Sequence, residues 1–263
     1  MSYTFGDHEE ASLRLRRLAT LYEPETRRLL ELVRASDQPH THRLAVDLGC
    51  GPGWTTQLLH AVLNPLRTIG IDSSERYVSE ARLNCPTLEF LQHDILQTPF
   101  PVEPADLFLC RFLLTHLPSP RTALAAWAGA AAPGAKLFIH ETAWLESTHP
   151  ALRRYYELVG EMQRHYGQEL NVGATLDVSI AGTGWHVLHN LNLVLEKSAR
   201  EMAQLHLPNL RTWGRNEFAA QAFDRRELDE LEADLDAIAS GRSDAGIVRN
   251  GAKQIVAERE STR

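Results

Sequence analysis

Three glycines at alternate positions, Gly49, Gly51 and Gly53, close the segment Leu44-Ala45-Val46-Asp47-Leu48-Gly49-Cys50-Gly51-Pro52-Gly53-Trp54. Glycine lets a backbone turn tightly and approach a ligand where a Cβ would collide. The apolar run before the turn suits a buried parallel strand, and Thr55 to Leu63 reads as a helix. A helix N-terminus adds free N–H groups facing the ligand. A second short strand, Ile69-Gly70-Ile71-Asp72, ends in an acid roughly 20 residues beyond the turn, the separation at which a carboxylate reaches ribose hydroxyls. Strand, glycine turn, helix and distant acid together describe a nucleotide site. A dinucleotide fingerprint would carry a third glycine where this chain has Trp54.

Preceded by Val46-Asp47-Leu48, the turn resembles the first motif of the class I S-adenosylmethionine-dependent methyltransferases, and the resemblance is specific over about residues 44 to 141. It implies that Asp47, Gly49, Cys50, Gly51 and Gly53 hold the cofactor S-adenosylmethionine, with Asp72 and Ser73 at its ribose. It also implies an adenine contact at His93-Asp94-Ile95, where the Asp94 carboxylate would accept from the amino group and the Ile95 N–H would donate to the adjacent ring nitrogen. Cys110-Arg111 followed by Leu114-Thr115-His116-Leu117 is similar to one bacterial branch of the family. Ligands bind outside the carboxyl ends of parallel strands, so Arg111 to His116 should lie beside the methyl group or the acceptor, with Arg111 as a cofactor contact and His116 as a substrate contact.

The elements that must position these residues alternate strand and helix, the pattern of a doubly wound parallel sheet. Strands are expected at Arg67 to Asp72, Leu88 to Leu91, Ala105 to Cys110 and Ala135 to Glu141. Helices are expected from a Ser73 or Ser74 cap to about Leu83 and from Pro120 to Ala132. With the resemblance, the expectation is an α/β, Rossmann-like, doubly wound, seven-stranded, mostly parallel sheet with a helical cap. Residues 1–38 form the N-terminal cap, with helices near Glu9 to Tyr22 and after Pro24. Residues 39–263 form the methyltransferase domain, with a lid insertion at about 146–182. The lid helix carries Tyr155 and Tyr156 as substrate contacts, and Tyr3 is a cofactor contact or, with Phe5, a packing anchor. Beyond the lid, Leu176 to Ala181 is helical, Val187 to Leu195 is a strand, and Ala199 to Leu207 is a helix stopping at Pro208. Asp224 and Glu227 form a capping box, and Gly251 to Glu258 is the last strand.

The 263 residues are 43% apolar and 23% charged, ordinary for a globular chain, and the net charge of -7 offers no basic field to a nucleic acid. No signal segment and no apolar run of ~18 residues is evident, so the expectation is a cytoplasmic protein without a membrane partner. Cys50, Cys85 and Cys110 are scattered and read as buried thiols. Neither His40 with His42 nor His186 with His189 has a neighbouring Cys or acid at ligand spacing, so no metal is expected.

The resemblance implies methyl transfer from the sulfonium to an O, N or C nucleophile of a small molecule. The catalytic candidates are His116 and His140, with Glu141 behind them, if the acceptor must lose a proton; a carboxylate acceptor needs no base. The alternatives are a non-catalytic S-adenosylmethionine-binding protein and a nicotinamide-dependent oxidoreductase. The acceptor, the atom methylated and the assembly, a homodimer included, stay open. Removing residues 1–22 is expected to leave cofactor binding largely intact while abolishing transfer.

Overall fold

The computed structural model describes residues 9–34 and 42–260; Tyr3, Phe5 and His40 lie outside them. Two helices come first, α1 (Glu9–Leu21) and α2 (Glu23–Arg34). Then follow β1 (Leu44–Leu48), α3 (Trp54–Leu63), β2 (Arg67–Asp72), α4 (Glu75–Asn84), β3 (Glu89–Gln92) and β4 (Ala105–Arg111). A 3-10 turn at Leu114–His116 leads to α5 (Pro120–Gly129) and the long β5 (Ala131–Ser147). After α6 (Pro150–His165), a second 3-10 turn at Val172–Thr175 runs into α7 (Leu176–Ile180). The chain closes with β6 (Trp185–Ser198), α8 (Ala199–Trp213), α9 (Glu217–Ala222), α10 (Arg225–Ser240) and β7 (Ile247–Arg259).

All seven strands join one sheet in the order β3-β2-β1-β4-β5-β7-β6. The first five pair in parallel, and β7 runs antiparallel to both β5 and β6. This is the Rossmann-like, mostly parallel sheet expected from the sequence. From β1 the chain winds outward to β3, and from β4 it winds the other way, so the crevice at the switch point opens between the carboxyl ends of β1 and β4. Every residue of β1 is buried because the sheet is covered on both faces. Ala45 packs with Leu29, Leu30, Leu58 and Leu59 of α2 and α3. Leu44, Val46 and Leu48 pack on the other face with Leu124, Trp127 and Leu176.

A second apolar core joins α6, α8 and α10 through Leu152, Tyr155, Leu158, Leu205, Trp213, Leu231 and Leu235, with Leu18 and Leu21 of α1 packed against it. This core redraws the expected lid. Val172, Leu176 and Ile180 belong to the sheet core, whereas α8 and α10, expected in the methyltransferase domain, form the helical layer with α6.

Pro208 does not stop α8, which continues to Trp213. An interior proline leaves the carbonyl four residues earlier without its helical donor. Here that carbonyl is Gln204 O, and Arg17 of α1 donates Nη1–H to it at 3.3 Å. Burial of Leu205, Leu207, Leu210 and Trp213 holds the helix together on either side of the proline. Local proline chemistry is thereby overridden by packing and by a donor from a distant helix. Ser74 caps α4 by accepting from Tyr77 N, and Asp224 caps α10 by accepting from Arg226 N. Glu227 does not complete a capping box; its Oε1 accepts from Arg154 Nε at 2.6 Å, tying α10 to α6.

Candidate active site

The ends of β1, β2 and β4 open onto a cavity of about 390 Å³ between the sheet and the helical layer. Gly49, Gly51 and Gly53 adopt φ of 64°, 51° and 91°, a left-handed region that side chains rarely occupy. At Gly49 a Cβ would also stand 2.6 Å from Leu113 Cδ1. Gly49, Cys50 and Gly51 line the cavity. Gly53 does not: a Cβ there would point at Ala81 and Phe90, so its role is to let α4 and β3 approach the turn.

Asp47 lies beneath the turn rather than on the cavity wall. It is buried, and its Oδ2 accepts from Thr55 Oγ1 at 2.6 Å and Thr56 Oγ1 at 2.7 Å, fixing the start of α3 to β1. Burial raises its pKa to about 6 although the two hydroxyls oppose the rise. The direct cofactor contact expected of Asp47 is therefore replaced by a positioning role.

Asp72 lines the cavity and is oriented by two backbone donors. Oδ2 accepts from Gly51 N and Oδ1 from Ser74 N, each at 2.9 Å. A carboxylate has about four acceptor sites, so these bonds leave it able to receive ligand hydroxyls. Ser73 lines the cavity beside it. Asp94 and Ile95 line it too. Asp94 Oδ1 accepts from Leu96 N at 2.9 Å, and Ile95 O accepts from the buried Trp127 indole at 3.1 Å, so the loop after β3 is held from both sides. Trp54 also reaches the cavity, and its indole Nε1 is buried without a partner among the described residues.

The remaining wall comes from α1, the end of β4 and the helical layer. Arg111 lines the cavity, its pKa lowered to about 10 by burial against the opposing pull of Asp47. Phe112 follows with φ of 50°, an unusual conformation for an aromatic residue and one often found at functional sites. Three bonds hold it: Phe112 N donates to His140 O at 3.0 Å, and Leu113 N and Leu114 N donate to Glu141 Oε1 at 2.8 Å. Glu141 is fully buried, and burial raises its pKa to about 7 against these donors.

His116, Tyr155 and Tyr156 are brought to the same cavity. His140 is not. It is 0% exposed, its Nδ1 lies 3.2 Å from Thr26 Oγ1 and 3.3 Å from Gln254 Nε2, and its ring supports Phe112 at 5.0 Å between centroids. The expected catalytic role for His140 is corrected to support of the cavity wall. His116 reaches the cavity, but burial and then Arg14 lower its pKa to about 3, so it is a poor proton acceptor near neutrality.

Several lining residues were not singled out by sequence. Arg14 of α1, 7% exposed, reaches the cavity. His206 of α8 stacks on Tyr155 at 4.4 Å, and its Nε2 lies 3.1 Å from Tyr156 Oη. Arg14 and His206 fall between the apolar positions of ordinary amphipathic helices, and nothing in their local sequence marks them. Among the described residues no group of three or more His, Cys, Asp or Glu is arranged to hold a metal, and no helix is long and apolar enough to cross a membrane.

The sequence profile of the family described as Methyltransferase domain matches residues 46–139, the segment that runs from β1 into β5. Trans-aconitate 2-methyltransferase of Methylobacterium radiotolerans is 35% identical over 137 residues, covering 52% of this chain and 52% of that one. The match thus spans about half the length of that curated relative. Among solved structures, geranyl diphosphate methyltransferase in complex with SAM superposes with a TM-score of 0.56 at 13% identity, over 97% of this chain and 94% of that one. The cyclase SpnF superposes with a TM-score of 0.51 at 16% identity, over 90% and 82%. At such identities the likeness is one of fold. Residues 46–139 match the methyltransferase domain family, and the chain built around them has the fold of solved methyltransferase structures.

Proposed function

We propose that this protein transfers a methyl group from S-adenosylmethionine to a carboxylate-bearing small molecule enclosed beneath the helical layer. One observation carries this: the segment matching the methyltransferase domain supplies Gly49, Gly51, Asp72, Asp94 and Arg111 to the same cavity that Arg14, Tyr155 and His206 close from the other side. The division into an N-terminal cap and a methyltransferase domain from about residue 39 belongs to this proposal, with α6, α8 and α10 completing the cap.

The residues present fit the cofactor's chemistry. Asp72, with Ser73 beside it, would take the ribose hydroxyls. Asp94 and the Ile95 N–H would take the adenine edge. The partnerless indole N–H of Trp54 would suit the anionic amino-acid end, close to the start of α3. S-adenosylmethionine would supply a methyl carbon on a sulfonium, open to in-line displacement by a nucleophile. The protein's part is to hold the acceptor aligned and dry. α1 and the α6, α8 and α10 layer exclude water, and Tyr155, Tyr156 and His206 offer an aromatic wall with polar tips.

Arg14 and Arg111 give the cavity two cations, which suits an anionic acceptor, and relatives that match about half of the chain are named for trans-aconitate. A carboxylate is already a nucleophile, and the low pKa of His116 is then no handicap. In this reading the neutral imidazole donates a hydrogen bond and holds the acceptor in place. Incubation with methyl-labelled S-adenosylmethionine and a panel of di- and tricarboxylates tests this; label should appear in a base-labile methyl ester. Label only in amines or hydroxyls would overturn the acceptor class. A second reading is a site that holds the cofactor without transferring its methyl. Cofactor binding by calorimetry with no label transferred to any acceptor in a cell extract would favour that one.

A further inference from the structure

β6 is the outermost strand of the sheet, and among the described residues its 14-residue outer edge has no pairing strand. A long open edge is a template for another strand unless proline, charge or a covering element blunts it. On β6 the charge that faces solvent is Glu196, near one end of the strand. The strand contains no proline, and the one lysine, Lys197, turns its Nζ back to Leu21 O at 2.8 Å and Glu25 Oε1 at 3.1 Å. Exposed aliphatic side chains gather at the same edge. Leu188 is 42% and Val194 54% exposed on β6, and Ile247 of β7, opposite Ser198, is 46% exposed. Val178 is 75% exposed on α7, next to Asp177, whose Oδ1 accepts from Asn190 Nδ2 at 2.6 Å.

The order of residues along the strand selects the partner. Outward from Leu191 on the solvent-facing side, Asn190 mirrors Asn192, Leu188 mirrors Val194 and His186 mirrors Glu196; on the other side Val187 mirrors Leu195, and His189 falls opposite Leu193. We propose that two copies of this chain pair β6 to β6, antiparallel, about a two-fold axis through Leu191, joining their sheets into one. A two-fold interface must be self-complementary, and the solvent-facing side of this segment is. In that register Leu188 faces Val194 of the second copy, the asparagines face one another, and the imidazole of His186 approaches Glu196 at each end. Moving the axis by one residue to Asn192 would set Val194 against Asn190 and Leu188 against Glu196, an apolar-to-polar mismatch at both flanking pairs on the solvent-facing side. The register shift between Val187 and His189 lies at Leu188, so β6 is regular from His189 to Ser198 and twists more strongly towards His186. This assembly is independent of the methyl acceptor and of the cofactor site.

Sedimentation of the full chain should give a mass twice 29.5 kDa at micromolar concentration. Val194→Lys should shift the equilibrium to monomer by at least tenfold, and Leu188→Glu added to it should restore the dimer, since the two positions oppose each other only in this register. Leu191→Cys should form a disulfide between copies under mild oxidation, whereas Leu195→Cys should not, because only a residue on the axis meets itself. The native Cys50, Cys85 and Cys110 are buried and do not compete. A wild-type monomer at 100-fold higher concentration, a dimer unaffected by Val194→Lys, or cross-linking at Leu195→Cys instead of Leu191→Cys would each overturn the proposal. Unchanged thermal melting of Val194→Lys separates a lost interface from a lost fold.

Discussion

The Oδ2 of Asp72 accepts the backbone N–H of Gly51 at 2.9 Å, so the acid that ends β2 also shapes the turn that ends β1. Its second oxygen holds Ser74 N and with it the start of α4. Asp72→Ala should therefore do more than remove a ligand contact. Loss of a hydrogen bond to a charged group costs about 1.5–3 kcal/mol, and the freed turn adds to it. Asp72→Asn, which keeps an acceptor for one of the two N–H groups, should lose less. Calorimetry with S-adenosylhomocysteine checks the order wild type, Asn, Ala; equal affinities would remove Asp72 from the site.

The half of the site carried by this turn was legible in the sequence because its requirements are local. A positive φ demands glycine, and a strand end demands an acid within reach. The other half was not. Arg14 and His206 meet at the cavity only because α1 and α8 pack together, and no spacing along the chain records that. Asp47 and His140 failed as contacts for a related reason. A polar residue at a strand end can face the ligand or satisfy its neighbours beneath it, and only the fold tells Thr55 and Thr56 apart from a ribose. The sheet was readable through alternation, whereas α8 hid behind Pro208 because its compensating donor, Arg17, is far away in sequence.

That donor makes a second prediction. Arg17→Met should destabilise the fold by about 0.5–1.5 kcal/mol, the ordinary worth of one hydrogen bond. In a Pro208→Ala background the restored amide N–H serves Gln204 O, and the same substitution should cost close to nothing. A double-mutant cycle by urea unfolding reads the difference. Additive effects would show that Arg17 acts elsewhere.

Glu141 offers a test in pH. Its folded pKa, about 7, lies above the ordinary 4.5, so the folded state binds the proton more tightly. The stability it contributes is full below about pH 4.5 and is lost as pH rises through 7, by an amount on the order of 3 kcal/mol. Glu141→Gln retains a carbonyl oxygen for Leu113 N and Leu114 N without the buried charge. The variant should match wild type at pH 5 and exceed it at pH 8 by denaturant unfolding. An equal deficit at both pH values would mean that the carboxylate is needed as an ion.

Removal of residues 1–22 should weaken cofactor binding as well as transfer, contrary to the expectation from sequence. α1 rests on the glycine-turn side of the cavity: a Cβ on Gly51 would come within 3.4 Å of Leu15, Arg16 lies 5.2 Å over the Trp54 ring, and Ser12 Oγ donates to Glu80 at 2.6 Å. Calorimetry on the truncated chain, with circular dichroism to verify folding, decides. Undiminished affinity for S-adenosylhomocysteine would confine α1 to the acceptor.

Arg14 separates an anionic acceptor from a neutral one. It lines the cavity from α1, and its charge contributes to lowering the pKa of both His116 and His206, each to about 3 behind the larger effect of burial. A cation that close favours a bound carboxylate and disfavours any step that leaves an imidazolium behind. Arg14→Met removes the charge and keeps most of the side-chain volume. The KM for a carboxylate acceptor should rise roughly 10- to 100-fold, the equivalent of about 1.5–3 kcal/mol for a charge-assisted contact. kcat should change less, and affinity for S-adenosylhomocysteine should stay near wild type. Over the same pH range kcat should show no inflection near 6.5 that disappears in His116→Gln, because a histidine with a pKa of about 3 does not titrate there. An acceptor KM insensitive to Arg14→Met, together with a kcat inflection abolished by His116→Gln, would replace the carboxylate with an acceptor that must be deprotonated and would restore His116 as its base.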